Sequence, residues 1–116
     1  MNPEFVKAVK FGGSSLADAE HFMQVKSIIE AEPSRRYVVP SAPGRRFPGD
    51  AKVTDMLYNC YRLASDGEDF SDEFSAIEKR YNGIIRELGL ALDLSSEFDT
   101  IRGAFAYHAG SDYAAS

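Results

Sequence analysis

Residues 9–15 have the sequence Val-Lys-Phe-Gly-Gly-Ser-Ser, and this stretch decides the fold of the chain. It ends a short apolar run, residues 5–11, which is interrupted by the charge of Lys7 and stops at two glycines. The length of the run and its glycine stop favour a β-strand. Residues 15–18, Ser-Leu-Ala-Asp, match a capping box, so we expect a helix to begin at Ser15 and to stop at Pro33. The stretch therefore predicts a strand, a glycine turn and a helix.

A second strand and a long loop follow the first helix. The strand is predicted over Tyr37-Val38-Val39, and it should end or lie at a sheet edge at Pro40, because proline cannot donate to a sheet ladder. Residues 43–50, Pro-Gly-Arg-Arg-Phe-Pro-Gly-Asp, contain two prolines and two glycines. They predict an ordered but irregular loop.

Three amphipathic helices are predicted after this loop. Residues 66–73 are rich in acids and indicate a solvated loop leading into a helix start. Ser96-x-x-Asp99 indicates the start of the last helix. Counting the helix before Pro33 as well, the residues expected to face the core are Phe22, Val25, Ile28 and Ile29; Met56, Leu57, Cys60, Tyr61 and Ala64; Phe74, Ile77, Tyr81, Ile84, Ile85 and Leu88; and Phe98, Ile101, Phe105 and Tyr107.

The order of these elements indicates an α/β layered fold with a parallel sheet. Two parallel strands are fewer than a sheet normally contains, and parallel sheets need helices on both faces. We therefore expect further structure downstream of Ser116.

Composition limits the classes of function. The chain has 116 residues, of which 44% are hydrophobic, so one globular domain is expected. Its net charge of −5 argues against binding to the nucleic acid backbone. No apolar run approaches the roughly 20 residues of a membrane span, and no secretory signal opens the sequence. Cys60 is the single cysteine, which excludes an internal disulfide, and we expect a cytoplasmic protein.

The glycine turn offers the elements of a phosphate site. Ligands of open α/β sheets lie beyond the carboxyl ends of strands, where Gly12 and Gly13 are expected. Consecutive glycines let backbone N–H groups converge on an anion, a helix start adds partial positive charge, and Lys10 adds an ammonium. The spacing matches neither GxxxxGK[ST] nor GxGxxG, so a P-loop or dinucleotide fold is not indicated. An ordinary glycine turn beside a solvated lysine remains the alternative.

The second loop offers groups for a small polar substrate. Ser41 and Thr54 supply hydroxyls, and Arg45, Arg46 and Lys52 supply charge for a carboxylate or phosphate. Alternatively, this is a surface loop whose Thr54 only caps the next helix.

The two histidines, His21 and His108, are expected near a helix start and a helix end. Neither has partner cysteines or histidines in the sequence. We therefore expect packing or surface roles for both, and no metal site.

Two segments of the chain closely resemble aspartate kinases. Residues 9–15 resemble the KFGG[ST]S opening of that family, and residues 38–43 with 52–55 resemble its second loop and the helix that follows. Acetylglutamate, glutamate 5-, carbamate and uridylate kinases share a lysine and a glycine turn there. Phe11 and the Ser14-Ser15 pair fit aspartate kinases better. The resemblance implies a three-layer α/β/α amino-acid-kinase fold with a parallel-sheet core, of which residues 1–116 are the N-terminal part of the catalytic domain.

The resemblance also implies an activity, the ATP-dependent phosphorylation of L-aspartate to 4-phospho-L-aspartate. ATP and L-aspartate would be small-molecule partners, Mg²⁺ would be held by ligands outside this chain, and the parent enzyme would be a homo-oligomer. The residues whose roles the resemblance implies are Lys10 as the catalytic cation, Gly12, Gly13 and Ser14 with Lys10 at the ATP phosphates, and Ser41 and Thr54 at aspartate.

The chain departs from the family by what it lacks. Family members continue with an Arg-Gly-Glu stretch whose acid binds substrate, and this sequence ends at Ser116, where that stretch should begin. A later aspartate, the nucleotide-base half of the domain and the regulatory ACT domains are also not in the sequence. We therefore expect a fragment that is inactive alone. Another enzyme of the superfamily and a non-catalytic anion-binding or assembly module remain the alternatives.

Overall fold

The computed structural model describes residues 6–108, which form a mixed α/β structure with a parallel two-stranded sheet and four α-helices. The chain divides into two compact units, Met1–Lys52 and Val53–Ser116. The first contains both strands and is called here the strand unit. The second, as far as its described residues 53–108 go, contains only helices and is called the helical unit.

The strand unit confirms the predicted order of strand, turn, helix and strand. Its strands pair in parallel, with Phe11 opposite Pro40 at their carboxyl ends. The second strand is longer than expected and includes Pro40, but it ends there as predicted. Phe5, expected in the first strand, lies outside the described residues. The elements are β1 (Lys7–Phe11), a 3₁₀-helix (Gly13–Leu16), α1 (Ala19–Ala31) and β2 (Arg35–Pro40).

The predicted start of the first helix at Ser15 is wrong. The Ser15 amide donates to the Gly12 carbonyl at 3.1 Å and belongs to the separate 3₁₀-helix. This tight turn buries the Leu16 side chain, which is 3% exposed. An α-helix that began at Ser15 would give Leu16 a different position. The cap of α1 is instead Asp18, whose carboxylate accepts from the His21 amide at 3.0 Å.

A small apolar cluster holds the strand unit together. Its buried members, Phe11, Leu16 and Val25, join the sheet, the 3₁₀-helix and α1. Val25 confirms the expected inner face of α1, but Ile28 is 44% exposed, so its assignment to the core is wrong. Phe22 and Ile29 are half-buried against the cluster.

The helical unit confirms the three helices predicted after the loop, namely α2 (Val53–Ser65), α3 (Ser71–Glu87) and α4 (Ser95–His108). Glycines with positive φ, Gly67 at +72° and Gly89 at +68°, end the first two, because only glycine adopts this conformation without strain. Each closes a Schellman motif, in which the next residue's amide reaches back five positions, from Glu68 to Leu63 and from Leu90 to Ile85.

Helices α3 and α4 begin with the same device. Asp69 accepts from the amide of Ser71 at 2.9 Å and from its hydroxyl at 2.5 Å, and Asp93 does the same for Ser95. The cap of α4 therefore comes from Asp93, and the helix begins one residue before the expected Ser96.

The core of the helical unit is aromatic. The rings of Phe74 and Phe98 meet edge to face with centroids 6.2 Å apart, and Phe105 is 1% exposed. Most residues expected in this core are buried or half-buried. Tyr107 is 88% exposed, so its assignment to the core is wrong, since it lies on the outer face of the last described turn.

Cys60 is fully buried in this core as a free thiol. Burial raises the pKa of its thiol to about 11, which keeps it protonated and unreactive. Within residues 6–108, no helix has both the length and the apolar character to cross a membrane.

Candidate functional site: a loop with free amides

The two loops that follow the strands leave the same edge of the sheet. Phe11 and Pro40 are register partners at the ends of parallel strands, and the Ser41 amide donates to the Phe11 carbonyl at 3.0 Å. The residues after each strand therefore start side by side. This confirms the expected placement of Gly12 and Ser41 on one rim, the place where open α/β sheets bind ligands.

Three consecutive amides on this rim have no acceptor. Within the part of the chain that the structure describes, the N–H groups of Gly12, Gly13 and Ser14 donate to no other residue. Gly12 and Ser14 are exposed, so these donors face solvent rather than a buried void. Unsatisfied backbone donors in succession are the usual construction of an anion site in a protein loop.

The two glycines of this loop are needed for different reasons, and neither has a positive φ. A Cβ on Gly13 would lie 3.1 Å from the Ala42 carbonyl oxygen and 3.1 Å from the Gly44 Cα, so Gly13 is required by packing against the second loop. A Cβ on Gly12 would meet no atom within 4 Å. No protein atom explains the absence of a side chain at Gly12, but a ligand approaching the backbone there would.

Lys10 is an exposed cation one residue before the end of β1. Among the described residues, no hydrogen bond or ion pair engages its ammonium. Lys7, on the same strand, has instead an ion pair with Glu32 at 3.9 Å. The ammonium of Lys10 is thus available to a ligand, and its orientation toward the free amides stays a prediction.

The second loop is held in shape by Arg46 and Asp50. Two guanidinium N–H groups of Arg46 donate to the two carboxylate oxygens at 2.5 and 2.9 Å, and its backbone amide donates to the same carboxylate at 3.0 Å. These bonds hold the pKa of the Asp50 carboxyl well below its usual range. Of the three cations expected to offer charge to a ligand, Arg46 is therefore already engaged. Arg45 also has a partner, since its Nε donates to the Asp50 carbonyl at 3.1 Å, and Lys52 is exposed.

The two residues expected to place a substrate are both exposed but belong to different units. Ser41 directly follows β2, and its hydroxyl has no partner among the described residues. Thr54 is the second residue of α2, one position inside the helix rather than before it. Their assembly into one substrate site stays a prediction.

Known proteins resemble this chain in sequence and in structure. In an alignment of 88 residues that covers 73% of this chain, it is 40% identical to aspartokinase 3 of Bacillus subtilis. It also matches the crystal structure of the aspartate kinase of Clostridium acetobutylicum, with a TM-score of 0.89 and 42% identity over 93% of this chain. The chain is homologous to aspartate kinases. No family model matches it.

The homology covers only part of those enzymes. The chain spans 19% of the Bacillus aspartokinase and 25% of the Clostridium aspartate kinase. Within that span, the fold expected from the aspartate kinase resemblance is confirmed as far as its mixed α/β character and its parallel strand pair.

Of the two histidines, His21 contacts a helix cap. The His21 ring Nδ1 lies 2.6 Å from the Asp18 carboxylate, so His21 supports the cap of α1. His108 lies at the last residue of α4. Among residues 6–108, no three side chains of histidine, cysteine, aspartate or glutamate come together as a metal-binding group.

The sequence interpretation missed Gly44 and Asp50. The Gly44 amide donates to the Gly13 carbonyl at 2.7 Å, so it joins the two loops directly. A pattern in the sequence could have indicated the contact of Asp50, since Arg46 and Asp50 stand four apart inside the loop of residues 43–50.

Proposed function

We propose that this chain is the N-terminal part of the catalytic domain of an aspartate kinase, which transfers the γ-phosphoryl group of ATP to the side-chain carboxylate of L-aspartate. The observation that supports it best is the run of amides at residues 12–14, which have no acceptor among the described residues and follow the exposed Lys10 in the chain. Because the chain is homologous to aspartate kinases, we assign this candidate anion site to the phosphates of a phosphoryl-transfer reaction.

In the proposed reaction, an oxygen of the aspartate carboxylate forms a bond to the γ-phosphorus of ATP. The bond from that phosphorus to the bridging oxygen breaks, and ADP leaves with the electron pair. Such transfers need positioning and charge stabilisation more than covalent help from the protein. Lys10 neutralises charge on the group in flight, while Gly12, Gly13 and Ser14 hold phosphate oxygens through their amides and the Ser14 hydroxyl.

The same proposal assigns aspartate to Ser41 and Thr54, whose exposed hydroxyls can donate to its polar groups. Mg²⁺ would accompany the nucleotide and neutralise phosphate charge. The described residues do not form a group that fits this ion by themselves, so its ligands would come from other parts of the enzyme. The parent enzyme would be cytoplasmic and homo-oligomeric and would serve the synthesis of lysine, threonine and methionine.

Under this proposal the isolated 116-residue chain should be inactive. The family's substrate-binding acidic residue and its pocket for the nucleotide base are not among these 116 residues. Incubation with ATP, magnesium and aspartate, followed by hydroxylamine trapping, should yield no acyl phosphate above a Lys10→Ala control. Steady product above that control would contradict this part of the proposal.

The test of the activity itself is a chimera in which this chain replaces the matching residues of the Bacillus aspartokinase. Lys10→Ala should lower its kcat by roughly 10²–10³ while changing the KM for aspartate little, because a cation aimed at the transferred group acts mainly in the transition state. Lys10→Arg should rescue only partly, since a planar fork replaces a compact ammonium.

The matched control is Lys26→Ala, which removes an exposed lysine paired with Glu30 on α1. It should leave kcat unchanged. Normal turnover in the Lys10→Ala chimera would remove the catalytic role proposed for Lys10.

A further inference from the structure

The loop after β2 is closed by a dense set of contacts to one carboxylate. Asp50 is the partner of three N–H groups of Arg46, and only 9% of its side chain is exposed. Its own amide donates to the Phe47 carbonyl at 3.0 Å, and its carbonyl accepts from Arg45 Nε at 3.1 Å. Residues 45–50 are therefore a turn braced from both the side chain and the backbone of Asp50.

The braced turn begins directly after the contact between the two loops. The Gly44 amide donates to the Gly13 carbonyl at 2.7 Å, and a Cβ on Gly44 would lie 2.6 Å from the Gly13 carbonyl carbon and 2.9 Å from the Ser14 nitrogen. The backbones thus touch with no room for a side chain. A displacement of Gly44 toward Gly13 would push on the peptide that joins Gly13 to Ser14, and a displacement away would break the hydrogen bond to the Gly13 carbonyl.

Arg46 also interacts electrostatically with the cap of α1. Its charge contributes to lowering the pKa of Asp18, after the larger effect of the hydrogen bonds from His21. The hydrogen bond from Gly44 to Gly13 is thus the direct contact between the two loops, and the influence of Arg46 on Asp18 is a minor electrostatic one.

We propose that Asp50 is a positioning residue for the phosphate site. By holding Arg46 it keeps Gly44 docked on Gly13, and this contact keeps the amides of residues 12–14 aligned for an anion. The inference rests on the proposed function, because it assigns the aligned amides to phosphate. It gives Arg46 a structural role and excludes Arg46 as a direct phosphate ligand.

The two roles of Arg46 predict opposite responses to Asp50→Asn. If Arg46 is a brace, both Arg46→Ala and Asp50→Asn loosen the loop and weaken anion binding. If Arg46 is a ligand held in reserve, Asp50→Asn frees its charge and strengthens binding, whereas Arg46→Ala weakens it. Arg36→Ala is the matched control, since it removes an exposed charge of the same unit that has no side-chain partner among the described residues.

The first measurement is amide hydrogen exchange of the 116-residue chain by ¹⁵N NMR, without ligand. The Gly44 amide should exchange roughly tenfold faster in Asp50→Asn and in Arg46→Ala, and the double variant should be no faster than either, because coupled residues are not additive. Arg36→Ala should match the wild type. Unchanged Gly44 exchange in both single variants would overturn the brace.

The second measurement is a titration of the same samples with inorganic pyrophosphate. In the wild type the amides of residues 12–14 should shift, and Asp50→Asn should weaken this binding about tenfold. Equal or tighter binding in Asp50→Asn would overturn the positioning role alone. No shift in the wild type would overturn the phosphate site, while the exchange data would still decide whether the brace exists.

Discussion

In the helical unit, Phe74 and Phe105 are each only 1% exposed, whereas Tyr37 and Val39 of β2 remain 66% and 55% exposed. Three helices can cover one another's apolar faces within a short stretch of chain. A parallel strand pair cannot, because it needs layers on both sides of the sheet. The strand unit has only the small apolar cluster of Phe11, Leu16 and Val25, and contacts between its loops shape the region that contains the candidate site. The comparison teaches that packing scaffolds one unit, while hydrogen bonds around glycines shape the other.

The largest effect should come from the packed unit. Phe74→Ala removes a fully buried ring that meets Phe98, and it should lower the free energy of unfolding by about 3–5 kcal/mol. Urea unfolding followed by helical circular dichroism measures this. Tyr37→Ala, at an exposed aromatic of the strand unit, is the control and should change stability by no more than about 0.5 kcal/mol. A similar loss in both variants would erase the distinction between the units.

A smaller effect is expected where two loop backbones touch. Gly44→Ala forces a Cβ to within 2.6 Å of Gly13 and should cost about 1–3 kcal/mol, as overpacking does. Gly12→Ala meets no atom within 4 Å and has an ordinary extended backbone, so its stability should change by no more than about 0.5 kcal/mol.

The pair also separates stability from ligand binding. Gly12→Ala should keep the fold and still weaken pyrophosphate binding, because its methyl group occupies the approach to the amides. Thermal unfolding and the pyrophosphate titration, run on both variants, give the two readouts. If Gly12→Ala binds pyrophosphate with the affinity of the wild type, the open space at Gly12 is not part of the phosphate site.

The sequence predicted the helices and strands better than it predicted their boundaries and the contacts between loops. Apolar spacing indicated every described α-helix, because burying one face is a property of the whole segment and tolerates local error. The predicted start of the first helix was wrong because Ser15 and Asp18 can both serve as N-cap residues. Only the burial of Leu16 in a 3₁₀ turn decides between them. The expected burial of Tyr107 was wrong because Tyr107 stands two positions after the buried Phe105, which at 3.6 residues per turn puts it on the opposite side of the helix.

Part of what was missed could have been found. Residues 69–74 and 93–98, Asp-Phe-Ser-Asp-Glu-Phe and Asp-Leu-Ser-Ser-Glu-Phe, share four identical positions, and each segment starts a helix in the same way. At the candidate site, the sequence indicated Lys10 and the glycine turn, and these roles stay predictions. It could not indicate that Gly44 touches Gly13, since that contact joins loops far apart in the chain.

A modest effect is expected from the polar contact that links two helices of the packed unit. Arg102 on α4 donates to Glu78 on α3 and to Asp99 at 2.7 Å, and its guanidinium lies 5.0 Å from the centre of the Phe74 ring. Arg102→Ala should lower stability less than Gly44→Ala does, because these contacts are partly exposed. Arg86→Ala, an exposed arginine in the last turn of α3, should have less effect in the same urea titration. Equal losses of stability in Arg102→Ala and Arg86→Ala would mean that the contacts of Arg102 with Glu78 and Phe74 do not stabilise the fold beyond the effect of removing one positive charge.

The smallest effect is the acid dependence of the Arg46–Asp50 brace. The folded state lowers the pKa of Asp50 below its ordinary value of 3.8, mainly through the hydrogen bonds from Arg46. A lowered pKa means that the stabilisation is fully present above pH 3.8 and is lost as the pH falls below it. Because Arg46 is partly exposed, the contribution should be about 1 kcal/mol or less.

The difference in unfolding free energy between the wild type and Asp50→Asn should therefore be constant from pH 7 to about pH 5 and should shrink toward zero in stronger acid. Taking this difference removes the other acids, such as Asp69 and Asp93, whose lowered pKa values are common to both proteins. A difference that stays the same at every pH would show that the Asp50 charge does not stabilise the loop.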